Sequence, residues 1–226
     1  MTATLSPTAR TRVIRSHERA ESERSALYDV LDSGMVAHLG VVIDAAPRVL
    51  PTVFAYDPDG PDLDGTLYFH GSVASRSLVD APDQTVCLTI TLVDGLVLAR
   101  SGFHHSVNYR SAVVLGNPRP VDEPAERDRA LDLIIDHLVP GRAETLRPPT
   151  RKDLAATTVL AVSLHEASVK ARAGGANDEA FDVEAGDTWA GIVPLTVVPG
   201  APITNPDCPP ELEVPQHVRA LVRKRD

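Results

Sequence analysis

The pattern of apolar and polar residues along the chain predicts a β-rich protein with one long helix. Seven or eight strands are predicted, at residues 35–43, 48–56, 66–70, 84–92, 96–100, 106–115, 157–164 and 188–198. Residues 123–138 instead repeat apolar side chains at helical spacing, with charged residues on the opposite face. Strands and helices do not alternate regularly, so the pattern indicates a mostly antiparallel barrel with helices packed outside.

Local signals add turns and helix ends to this pattern. Residues 44–47 are predicted to turn the chain between the first two strands, and Asp94-Gly95 is a strong hairpin signal. A short helix is expected after Ser22, which is its possible N-cap, and Gly34 is expected to end it. A second short helix is expected after Gly71-Ser72.

The chain is predicted to form one domain with two terminal extensions. Residues 1–20 are expected to be a loosely held arm, residues 21–198 the barrel, and residues 199–226 a proline-rich tail. With 226 residues, of which 43% are hydrophobic, the chain can bury a core without a metal or a disulfide.

Composition excludes several classes of function. The net charge of −9 argues against a nucleic-acid partner, and no apolar run is long enough to predict a membrane span. The absence of an apolar signal-peptide region, together with only two cysteines (Cys87 and Cys208) without C-x-x-C spacing, predicts a cytoplasmic location. No metal site is predicted, because the adjacent His104 and His105 would point to opposite faces of a strand.

The segment after the third predicted strand carries the most chemistry. His70 ends that strand, Gly71 permits a tight turn, and Ser72 could cap a helix whose free amide groups attract anions. Ser75 and Arg76 add a hydroxyl and a guanidinium suited to phosphate. The segment therefore predicts a phosphate site beside a sheet, and the alternative is an ordinary capped helix with a solvated arginine.

Two further clusters could contact a ligand. Tyr109 and Arg110 could face a planar ligand and its polar edge, although a buried tyrosine and a salt-bridged arginine explain the same residues. Lys170 follows a strand, where it could equally be solvated, and Trp189 could be a packing residue.

Taken together, these segments resemble the pyridoxamine 5′-phosphate oxidase-like flavoproteins, with the nitroimidazole-resistance reductases as the nearest branch. The resemblance runs from about residue 25 to residue 195, in the order LYFHGSVASRSL, LVDGLVLARSGFHHSVNYRSAVVLGNPRPV, HLVPGRAETLRPPT, ATTVLAVSLHEASVKARAG and WAGIVPL. It implies an antiparallel FMN-binding split β-barrel with flanking helices, and a homodimer with FMN at the subunit interface.

The resemblance also implies a function and a set of site residues. The expected function is an FMN-dependent oxidoreductase that reduces a small, possibly nitro-aromatic substrate, with His70 as the catalytic contact near the ring. The alternatives are a flavin carrier without catalysis, or a barrel that uses deazaflavin or haem. The expected cofactor-binding residues are Leu50, Pro51, Thr52, Val53, His70, Gly71, Ser72, Ser75, Arg76, Tyr109, Arg110, Lys170 and Trp189.

Two departures from the family pattern argue against oxidation of vitamin B6. Ser77 stands where the pyridoxamine phosphate oxidases have a basic residue after the phosphate-site arginine. The C-terminal arginine–histidine segment that binds the substrate phosphate in those enzymes is also missing from residues 215–221.

Overall fold

A computed structural model describes residues 4–223 of the chain. The strands in that range are β1 (Ala20–Glu21), β2 (Val36–Ile43), β3 (Ala46–Asp57), β4 (Thr66–Ser72), β5 (Val86–Leu98), β6 (Ser106–Gly116), β7 (Arg119–Pro120), β8 (Thr157–Ser163), β9 (Ala167–Arg172) and β10 (Gly191–Pro194). The α-helices are α1 (Arg24–Ser33), α2 (Arg76–Val79), α3 (Pro124–Leu138), α4 (Arg151–Ala155), α5 (Ala180–Ala185) and α6 (Gln216–Arg223).

All of these strands join one antiparallel sheet. Their order is β1-β9-β6-β5-β2-β3-β4-β8-β7, and β10 pairs with β5. The sheet carries several flanking helices, which confirms the predicted split β-barrel class. Strands β1, β7 and β9 were not predicted, and the two strands predicted at residues 84–92 and 96–100 form the single strand β5.

The main core fills the inside of the curled sheet. Phe54 on β3, Phe69 on β4, Leu88 on β5 and Leu160 on β8 are completely buried there, and Leu27 of α1 packs against them. The apolar stripe of α1 thus covers one side of this core, which explains why a short helix forms directly before β2.

A second apolar cluster lies on the outer face of β3, β4 and β8. Ala130 and Ile134 of α3 pack there against Tyr68, Val159 and neighbouring alanines. The Tyr68 hydroxyl donates to Glu126 Oε1 at 3.0 Å, and burial followed by this hydrogen bond raises the pKa of Tyr68 to about 12. Strand β4 is therefore buried on both faces, by the core on one side and by α3 on the other.

The prediction of a hairpin at Asp94-Gly95 was wrong. Strand β5 runs straight through this dipeptide, and the pairing with β6 shifts register between Val93 and Gly95. Gly95 pairs with Asn108 of β6 on one side and with Pro194 of β10 on the other. Since hydrogen-bonded partners flank the strand on both sides, the local turn signal becomes a β-bulge.

Two predicted helix caps were also wrong. Helix α1 begins at Arg24, and Glu23 occupies the N-cap position without a side-chain cap. Ser72 is the last residue of β4, and α2 begins only at Arg76 with Ser75 before it. The predicted turn at residues 44–47 narrows to Asp44 and Ala45, which have φ angles of 52° and 57°, as a two-residue hairpin requires.

The terminal segments pack against the barrel in the described range. Leu5 is buried in the main core, and the Thr8 hydroxyl donates to Glu166 at 2.6 Å. Helix α6 lies near Gly141, just past the end of α3. Residues 1–3 of the arm and 224–226 of the tail lie outside the described residues, and the division into arm, domain and tail remains a prediction. No helix within residues 4–223 is long and apolar enough to cross a membrane.

A buried carboxylate fixes the junction between α1, β4 and β8. Asp64 Oδ2 lies 3.2 Å from Arg24 Nη2 and 2.7 Å from His165 Nδ1, and the Asp64 side chain is fully buried. Arg24 Nη2 also donates to the carbonyl of Leu164 at 3.2 Å, and the Leu164 amide donates to the carbonyl of Gly65 at 2.8 Å. This cluster therefore sets where β4 begins relative to the end of β8.

We expect Asp64→Asn to lower the free energy of unfolding by about 3 kcal/mol, because it removes the charge that faces a buried guanidinium. Asparagine tolerates the positive φ of 63° at this position, so the substitution tests charge and not backbone strain. Urea unfolding would measure the change, with the exposed Asp207→Asn as the control. A loss no larger than that of the control would contradict the role of this cluster.

Candidate functional site

The predicted phosphate segment lies where β4 ends and α2 begins. His70 pairs with Val159 of β8, and the strand continues through Gly71 to Ser72. A Cβ atom at Gly71 would lie 2.6 Å from Leu78 Cδ1, so glycine is required here for the close packing of α2. The close packing against Leu78 thus explains the glycine at position 71 without a ligand.

Arg76 is exposed and already paired with acidic side chains. Its Nη1 and Nη2 atoms donate to the two carboxylate oxygens of Asp44, at 2.7 and 2.9 Å, and Asp80 lies 3.5 Å away. The hydrogen bonds from Arg76 lower the pKa of Asp44 below its usual value. Ser75 and Ser77 share a hydrogen bond of 2.9 Å beside it. An anion bound here would have to share Arg76 with Asp44.

The helix that was expected to attract the phosphate is a single turn. Because α2 has four residues, its aligned peptide dipoles are few, and the helix start gives little attraction for an anion. Any phosphate at this position would depend on Arg76 and on the hydroxyl groups of Ser72, Ser75 and Ser77.

The strand beside β4 supplies the predicted ring-contacting segment. Residues 50–53 lie on β3, where Leu50 and Pro51 are exposed and Thr52 and Val53 are half-buried. These residues pair with residues 36–39 of β2 and directly precede Phe54, which pairs with Phe69 of β4. The structure thus places the predicted ring-contacting residues on the strand next to β4. The end of β4 and the start of α2 carry the other predicted residues of this group, which are His70, Gly71, Ser72, Ser75 and Arg76.

The remaining predicted residues lie elsewhere on the same chain. Arg110 is bound by Asp94 through two hydrogen bonds of 2.9 and 3.1 Å, and Tyr109 pairs with Val93 at the far end of β5 from the Asp44 turn. Lys170 Nζ donates to the carbonyl of Arg15 at 2.8 Å, which holds the N-terminal arm. Trp189 is 69% exposed and packs beside Gly191. Within one chain these four residues do not join the β3–β4 group.

A cavity that the sequence did not predict lies on the α3 side of β4. Its volume is about 680 Å³, which suits a small-molecule cofactor. It is lined by His70, Asp128, Leu131, Asp132, Ile135, Ala143, Glu144, Leu146, Arg147, Pro148, Pro149, Asp153, Leu154 and Thr157.

His70 is the β4 residue that lines this cavity. It lies two positions after Tyr68 and therefore on the same face of the strand. Its Nδ1 atom is buried and has no hydrogen-bond partner among residues 4–223. Burial lowers the pKa of His70 below its usual value, so the imidazole is neutral at pH 7.

The other wall of the cavity is built from segments between α3 and β8. A 3-10 helix at Ala143–Thr145 and helix α4 are joined by a stretch that contains Pro148-Pro149. Helix α4 begins with a capping box, in which Thr150 Oγ1 accepts from the Asp153 amide and Asp153 Oδ2 accepts from the Thr150 amide. The T-x-x-D spacing could have predicted this helix from the sequence, whereas the cavity itself depends on tertiary packing.

Comparison with known proteins identifies a family and relatives that cover most of the chain. The family model of pyridoxamine 5′-phosphate oxidase matches residues 23–171. No curated protein matches the chain.

Two solved structures are similar over nearly the entire chain. The flavocytochrome Anf3 from Azotobacter vinelandii is 34% identical, with a TM-score of 0.86 over 96% of this chain and 98% of its own. The FAD and haem binding protein from Mycobacterium smegmatis is 35% identical, with a TM-score of 0.82 over 90% of this chain and 97% of its own.

A third structure is more distant and supports the fold alone. A protein assigned to 5-nitroimidazole antibiotic resistance in Bacteroides thetaiotaomicron is 20% identical, with a TM-score of 0.54 over 67% of this chain and 85% of its own. The family resemblance predicted from the sequence motifs is thus confirmed.

We expect the His70 pKa, measured by NMR titration of its ring protons, to lie below 6.5 in the folded apoprotein. Between the folded pKa and 6.5 the unfolded chain binds a proton that the folded chain does not, so lowering the pH through this window destabilises the fold. His70→Gln should reduce that loss of stability. A titration at or above 6.5 would show that the imidazole is not buried against the cavity wall.

Proposed function

Because the chain belongs to the pyridoxamine 5′-phosphate oxidase family, we propose that it is a flavin-dependent oxidoreductase that also holds a haem. The observation that carries this proposal is that β4 borders two separate places for a cofactor. One is the exposed group of Arg76 and nearby serines, and the other is the cavity lined by His70. The two whole-length relatives are described as a flavocytochrome and as an FAD and haem binding protein.

The residues at the end of β4 fit the phosphate of a flavin. Arg76 has an exposed guanidinium, and Ser72, Ser75 and Ser77 place hydroxyl groups on the same short segment. The exposed Leu50 and Pro51 of neighbouring β3 offer an apolar surface for the flavin ring. FMN is the flavin that the family resemblance implies, and the FAD named for the mycobacterial relative is the alternative.

When bound, the two groups would supply hydride and single-electron transfer. The chain's own part is to bind and orient them, since α3 and residues 143–154 (the roof) wall the His70 cavity while the Arg76 side is exposed. His70 is neutral and would act as a ligand or hydrogen-bonding group and not as a charged acid. The proposed substrate is a small acceptor, such as a nitro-aromatic compound, that reaches the open flavin side.

A homodimer is part of the proposal. Residues 47–51 of β3 pair with β2, whereas β4 pairs with β3 at residues 54–57, and these five residues are exposed, Val49 to 67%. Together with the exposed Val42 on β2, they form an apolar surface beside the flavin position that a second copy of the chain would cover.

Purification followed by absorption spectroscopy, mass identification of released cofactors and light scattering tests the proposal. We expect both flavin and haem bands, an FMN or FAD mass, and the mass of a dimer. Oxidation of a reduced nicotinamide cofactor by a nitro-aromatic acceptor would then separate a reductase from a flavin carrier. A protein that binds neither added flavin nor added hemin would overturn the proposal.

We expect Arg76→Ala to weaken flavin binding at least about tenfold, because it removes a charge-assisted contact to phosphate. Asp44→Asn should tighten flavin binding about threefold, because it removes the carboxylate that competes for Arg76. Fluorescence titration of the apoprotein with FMN would measure both. Equal affinities for the two variants would contradict a phosphate at Arg76.

A further inference from the structure

We propose that the cavity between β4 and α3 is the haem site and that His70 is the axial ligand of its iron. This inference rests on the proposed function for the identity of the group. It assigns that group to one place on the chain and to one side chain.

The walls of the cavity suit a flat apolar group. Leu131 and Ile135 project from α3, Leu146 and Leu154 come from the roof, and Pro148-Pro149 lies between them. The volume of about 680 Å³ lies within the range of about 300–1,000 Å³ that is usual for cofactor pockets. The apolar walls would cover the two faces of the macrocycle.

The position of the His70 imidazole suits an iron ligand, because the side chain lines the cavity and stands among its apolar walls. Its Nδ1 atom is buried without a hydrogen-bond partner among residues 4–223. An unpartnered buried nitrogen destabilises a folded protein, so a bound group that engages the imidazole would be favoured here. No other histidine lines this cavity among the described residues.

The acidic lining disfavours the phosphate of a flavin in this cavity, and the two carboxylates of a haem would have to lie at its mouth. Asp128, Asp132, Glu144 and Asp153 line it, and Arg147 is the single cation among the described lining residues. A flavin phosphate would meet this acidic surface, whereas the Arg76 group on the other side of β4 offers hydroxyls and a guanidinium. Arg147 donates to Asp153 Oδ2 at 3.1 Å and is largely exposed, so it can turn to one haem carboxylate at the mouth.

The test uses His70→Gly in the full chain, with haem content read from the absorption spectrum and flavin content as the measure of folding. We expect haem affinity, measured by hemin titration, to fall at least about 100-fold, since loss of a ligand costs more than loss of its outer contacts. Added imidazole should restore haem binding, because it can fill the space left by the side chain. Flavin content should remain that of the wild-type protein.

Two further variants keep the test decisive. His70→Met should retain a haem with an altered spectrum and a raised reduction potential, because thioether replaces imidazole as the ligand. His105→Ala, at an exposed histidine that does not line the cavity, should leave the spectrum unchanged.

The outcomes separate this inference from the proposed function. A wild-type protein that takes up no hemin would overturn both the haem part of the proposed function and this site. A His70→Gly variant that keeps the wild-type haem spectrum would overturn the site alone. Loss of haem and flavin together, without rescue by imidazole and with an unchanged His70→Met spectrum, would also contradict ligation by His70.

Discussion

The register between β4 and β8 is the constraint on which the rest of the structure depends. It pairs Thr66 with Ser163 at one end and Ser72 with Thr157 at the other, so His70 stands opposite Val159. Side chains alternate along a strand, and a slip of one residue would turn His70 into the core and Phe69 toward α3. The buried Asp64, with Arg24 and His165, fixes this register at the start of β4.

Because both faces of β4 are covered, its C-terminal end is the part of the strand that can contact a ligand. His70 lines the cavity under α3, and the residues up to Arg76 pass to the opposite side beside the Asp44 turn. Six residues of extended chain span about 20 Å at most, so the Cα atoms of His70 and Arg76 cannot lie farther apart than that. Two redox groups held at these places would share one strand as their common support.

Much of the fold could be predicted from the sequence, because its strongest signals are local. The apolar stripe of α3 and the apolar run at the end of β6 identified those elements, and family motifs identified the split barrel. The hairpin predicted at Asp94-Gly95 was wrong because β6 and β10 pair with the strand on both sides of this dipeptide. Only the tertiary fold brings these two strands there.

The site was predicted in part for the same reason. Neighbouring strands β3 and β4 bring together residues 50–53 and residues 70–76. The order of the family motifs along the sequence indicates this proximity. Asp44 as the partner of Arg76 could not be foreseen, because the pair joins residues 32 positions apart. The cavity was missed because its walls come from α3, β4 and the segment before β8, and no single stretch of sequence contains it.

The roof of this cavity has a consequence for how the protein would be assembled. Residues 143–154 contribute to neither of the two buried apolar clusters. The two clusters and the pairing of β4 with β8 include none of them, so with the proposed haem site the polypeptide would fold first and admit the group afterwards. Maturation would then depend on cofactor supply in the cell, and a pool of stable, empty precursor could wait for it.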